Sequence, residues 1–79
     1  MSNDFRIPGK RVKSTRWVHT NRYIVAVEVE GVIPADDPSD LCYEPWVTKL
    51  VKEVQERAEA GDVSWLRQHG RVFTAEQVA

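Results

Sequence analysis

Asp36, Asp37, Asp40 and Glu44 crowd one short segment, and carboxylates are the natural ligands of a hard divalent cation. Glu28 and Glu30 precede them and could add a ligand. The spacing does not follow the D-x-[DN]-x-[DN]-G pattern of a calcium loop. A solvated acidic loop that supports turns and leads into a helix explains the same residues more simply, so no metal is favoured. The four acids stand as a weak metal-site alternative.

Cys42, His19 and His69 supply the atom types of a nucleophile and its base, or of a zinc site. Their separations form neither a paired-cysteine metal motif nor HExxH. The reading that asks least is a small, partly buried cysteine and a histidine near a helix end. No GxSxG elbow and no GxxxxGK[ST] loop is present. A non-enzymatic role without a cofactor is favoured.

Nucleic acid would look first to the basic beginning of the chain. Lys10, Arg11, Lys13, Arg16 and Arg22 could contact phosphates, while Trp17 and Tyr23 could stack on unpaired bases. On a strand, Arg11, Lys13 and Trp17 share one parity and Arg16 takes the other, so one basic face would need a twist or a bulge. A solvated strand edge accounts for the same charges.

Trp17, Trp46 and Trp65 are the remaining residues of note. Large rings can fill a small core or anchor a partner in a pocket. At least two are expected in the core, and Trp17 and Trp65 are the better candidates for binding a partner.

The elements that would position these groups follow from periodicity. The stretch "RVKSTRWVHT" holds β-formers without an apolar face, as an edge strand does. "NRYIVAVEVEGVIP" alternates clearly: Tyr23, Val25, Val27 and Val29 on one face, Ile24, Ala26, Glu28 and Glu30 on the other. Thr20–Asn21 offers a reversal between the two, and one long bent strand is the competing reading. Gly31 marks a bulge or a close backbone approach, and Pro34 ends regular pairing.

After the "PADDPSD" loop, Val47, Leu50, Val51, Val54 and Ala58 draw an apolar stripe at helical spacing, with Pro45 at the helix start and Gly61 as its left-handed cap. Asp62 can cap "VSWLRQH", Gly70 can end it, and "RVFT" can return as a strand. The expected fold is α+β. A small antiparallel sheet of two or three strands packs on one main helix, with a short second helix, in the order β-β-α-α-β. Residues 1–9 form a lead-in, 10–74 a single domain and 75–79 a tail.

Composition sets the outer limits. Seventy-nine residues hold one core, and 42% hydrophobic with 29% charged residues is globular usage. One cysteine allows no intramolecular disulfide, and no apolar run nears the roughly 18 residues that cross a membrane. A soluble cytoplasmic protein without membrane contact is expected.

The net charge of −1 hides a division. Residues 1–22 carry six bases and one acid, whereas 23–66 carry ten acids and three bases. A chain this short, with strand edges and little interior, is expected to be an interaction or accessory module that pairs with another protein or with a second copy of itself as a homodimer. A small nucleic-acid-binding protein using the basic N-terminal region is the alternative.

Overall fold

The computed structural model describes residues 6–74. Two long strands, β1 (Gly9–His19) and β2 (Tyr23–Pro34), are followed by helices α1 (Pro45–Ala60) and α2 (Val63–His69) and by a short strand β3 (Arg71–Thr74). The strands form one antiparallel sheet in the order β1-β2-β3. This is the α+β arrangement that the alternating and helical patterns predict. The terminal segments, 1–5 and 75–79, lie outside the described residues, and with them most of the predicted lead-in and the whole predicted tail.

β1 and β2 are a hairpin rather than one bent strand, paired without a slip from Gly9 opposite Pro34 to His19 opposite Ile24. Neither Asn21 nor Arg22 has a positive φ, so the turn is not one of the mirror-image types that call for glycine. Thr20 closes it instead. Its hydroxyl donates to the Tyr23 carbonyl (3.1 Å) and accepts the Tyr23 N–H (3.2 Å). The Thr20 N–H also donates to the Tyr23 carbonyl at 2.9 Å. Gly31 pairs in register with Val12, so there is no bulge there. A Cβ on Gly31 would stand 2.8 Å from the Leu41 side chain, which makes close packing the reason for glycine.

Cross-strand partners share a face. Val18, Val25, Val27 and Val29 therefore point to one side, where Val47, Val54, Ala58 and Leu66 meet them in the core. Burying each such Val or Leu side chain contributes about 1.5–3 kcal/mol. Leu50 and Val51, predicted on the helix stripe, are only half-buried at its border.

Pro45 opens α1, and Gly61 closes it at φ 76° with its N–H on the Ala58 carbonyl. Asp62 starts α2 by accepting the Trp65 N–H at 3.2 Å, and its other carboxylate oxygen takes Arg57 at 3.0 Å. Gly70 ends α2 in an extended conformation. It is small because a Cβ there would come 2.5 Å from the Ala26 carbonyl oxygen, just where β3 joins β2.

No helix among the described residues is long and apolar enough to cross a membrane.

Candidate interaction surface

The second face of the sheet carries no described element over its central part. Trp17, 54% exposed, stands there in the row Trp17–Ala26–Arg71. Its ring stacks on Phe73 with centroids 6.4 Å apart and planes at 30°. Half-buried Ile24 lies between His19 and Phe73 in the next row, and small Ala26, between Trp17 and Arg71, is buried. The other direction along this face is charged: Thr15 stands opposite Glu28, and Lys13 opposite Glu30.

The three tryptophans do not serve the core as the sequence suggests. Trp17 and Trp46, the latter 40% exposed, are both outside it. Trp65 alone packs against the buried cluster. It also takes the His69 ring at 3.9 Å and the Arg57 guanidinium at 5.1 Å from its centroid. Trp17 and Trp65 lie on opposite sides of the sheet and cannot form one patch.

The basic residues are divided in the same way. Arg11, Lys13 and Trp17 share the open face, while Lys10, Arg16 and Tyr23 share the face toward the helices. Arg16 sits over the Tyr43 ring at 5.1 Å, and Arg22 over the Tyr23 ring at 5.5 Å. Arg11 is already committed. Its guanidinium pairs with the Glu44 carboxylate at 2.8 Å and with Glu30 at 3.5 Å.

Glu44 is the surprise of the acidic segment. It does not face solvent with Asp36, Asp37 and Asp40, but is 2% exposed. One carboxylate oxygen takes Arg11 and the Ile7 N–H (2.7 Å), and the other takes the Trp46 indole N–H (3.2 Å). The Arg11 contact, helped by the Ile7 and Trp46 donors, outweighs burial and holds this carboxyl at a pKa of about 2. Its oxygens are therefore not offered to an outside cation. Among the described residues no three His, Cys, Asp or Glu side chains come together as a metal site.

Cys42 exchanges both backbone hydrogen bonds with Val32, whereas His19 pairs with Ile24. The intervening length of β2 holds them roughly 26 Å apart at about 3.3 Å per residue. Burial, and then the Asp40 carboxylate that accepts the thiol at 3.6 Å, push the Cys42 pKa up, opposite to what an activated nucleophile needs.

Phe73 belongs to the surface but carries no local sign of it, whereas the alternation of β2 already sets Ile24 on this face. Alternation puts Phe73 opposite in sense to Val72; only the strand register brings it to Trp17. The chain matches no family model, no curated protein and no solved structure.

Proposed function

We propose that this chain is a non-enzymatic interaction module that docks another protein through the open sheet face around Trp17 and the adjoining edge of β1. One observation carries the reading. A tryptophan more than half exposed is held against Phe73 on a sheet face whose central part carries no described element, beside a strand with no neighbour on its outer side among the described residues. A ring fixed in this way loses little conformational freedom on binding and offers a large contact area, the properties of an interface anchor.

The nucleic-acid reading has less to stand on. Its cations are split between two faces, and Arg11 is neutralised by Glu44.

Photo-crosslinking separates the two. A photoreactive phenylalanine analogue replacing Thr15, exposed beside Trp17 on the open face, should give discrete protein adducts in the expressing cells. The same group replacing Gln55, exposed on α1, should not. Nucleic-acid adducts, or equal adducts from both positions, would overturn the reading.

A further inference from the structure

The hydrogen bonds just beyond the two ends of the β1–β2 ladder fix its phase. The Thr20 N–H donates to the Tyr23 carbonyl, and the Ala35 N–H donates to the Pro8 carbonyl at 3.1 Å. Both pairs continue the register seen between Gly9 and His19. In an antiparallel ladder, directly opposed residues alternate between bonding each other and turning their groups away. The even-numbered residues of β1 therefore bond β2. Gly9, Arg11, Lys13, Thr15, Trp17 and His19 turn their N–H and C=O groups to the outer edge. The same phase turns the even-numbered residues of β2 to its far side, where Val32 does exchange both bonds with Cys42 at 2.8 Å.

β2 offers little more room for pairing. Its far side is closed at Ala26 by Arg71 and at Val32 by Cys42, which leaves only Glu28 and Glu30 between them. β1 is different: eleven residues in unbroken register, with no proline and no bulge to blunt the edge. Its side chains also select by charge. β1 contains Lys10, Arg11, Lys13 and Arg16 and no acid. Among the described residues Glu44 and Glu30 pair only with Arg11, and Lys10, Lys13 and Arg16 make no ion pair.

We propose that the outer edge of β1 accepts an extended, acidic segment of a partner protein as a fourth strand. The inference rests on the interaction reading above and names its partner chemistry. Added antiparallel, such a strand places an apolar side chain beside Trp17 on the open face and an acid beside Lys13 on that same face. Acids beside Arg16 and Lys10 fall on the other face. Backbone bonds to Arg11, Lys13, Thr15 and Trp17 supply affinity, and alternating side chains supply selectivity. A second copy pairing through its own β1 fits less well, because it brings together two strands that carry only positive charge.

The probe is the blocked peptide Val-Glu-Thr-Thr-Glu-Val-Thr-Glu, written to lie antiparallel to residues 10–17. The readout is amide hydrogen exchange by NMR. In the free protein, Val12, Ser14, Arg16 and Val18 should exchange slowly and Arg11, Lys13, Thr15 and Trp17 fast. Peptide at ten times its dissociation constant should slow the second set about tenfold and leave the first set unchanged. The double variant Lys10→Gln/Lys13→Gln, with both positions exposed, should retain the fold and bind more weakly.

Absence of protection, or protection elsewhere, overturns the proposal. Equal protection by a peptide with lysine in place of each glutamate overturns its charge selectivity and so the acidic partner. Protection of the odd-numbered set by raised protein concentration alone assigns the edge to a second copy. In that last case the acidic segment fails while the interaction reading stands. Crosslinks to protein from position 15, without any effect of the peptide, would likewise separate the two.

Discussion

Trp17 on β1 and Phe73 on β3 stack across the strand that separates them. The outer strands of a three-stranded sheet run roughly 10 Å apart, two strand spacings, so their side chains meet only if the middle strand offers little bulk between them. Ala26 does so, standing level with Trp17 and itself buried. The ring pair ties β3, only four residues long, to the far side of the sheet. It also holds Trp17 in one place while leaving half its surface to solvent.

Trp17→Ala should therefore separate binding from folding. The lost ring contact is worth about 0.5–1.5 kcal/mol, a modest change in a urea denaturation curve. Partner adducts formed from a neighbouring exposed position such as Thr15 should disappear. A variant that unfolds at room temperature would show that the ring serves stability first.

Core truncations should rank by burial. Leu66 is fully buried, so Leu66→Ala should cost about 2–5 kcal/mol. Leu50 is only half-buried, and Leu50→Ala should cost less, below about 2 kcal/mol. Chemical denaturation of both variants checks the order, and equal losses would place Leu50 deeper than the structure does.

Thr20→Val keeps the shape of the hairpin turn but removes the hydroxyl that both donates to and accepts from Tyr23. Two hydrogen bonds of ordinary net worth amount to about 1–2 kcal/mol. The loss should appear in denaturation, with faster amide exchange at Tyr23.

Gly70→Ala should destabilise by about 1–3 kcal/mol through overpacking, because the new methyl meets the Ala26 carbonyl oxygen. The extended backbone at Gly70 suits alanine, so a loss would report the close approach alone. Increased exchange should be confined to β3 and its contacts with β2. An unchanged melting temperature would refute the contact.

The Arg11–Glu44 pair sets an acid limit. The folded pKa of Glu44, about 2, lies below its ordinary value near 4.5. Its contribution is therefore fully present above about pH 4.5 and is lost as the pH falls through about 2. Glu44→Gln should lower the melting temperature at pH 7, and more than Glu30→Gln does, since Glu30 is exposed. The gap between wild type and Glu44→Gln should close as the pH falls from 4.5 toward 2. A gap that stays constant over that range would dissociate Glu44 from the acid response.

Local periodicity carried much of the architecture. The alternation of Tyr23 to Glu30, the stripe from Val47 to Ala58, the caps at Gly61 and Asp62 and the return of "RVFT" are each readable from neighbours within a few residues. A strand repeats every two residues and a helix every 3.6, so burial of one face leaves its mark on adjacent positions. The order β-β-α-α-β follows from those marks alone.

The tertiary structure decided what no neighbour records. Glu44 reads as one more acid of a solvated loop until Arg11, Ile7 and Trp46 converge on it from separate parts of the chain. Trp17 reads as a candidate anchor with no known neighbour, and Phe73 as an unremarked strand residue, until the register sets them together on the open face. Sequence periodicity assigns a side chain to a face; which groups share that face, and whether anything covers it, depends on pairings between distant segments whose register is a property of the assembled sheet.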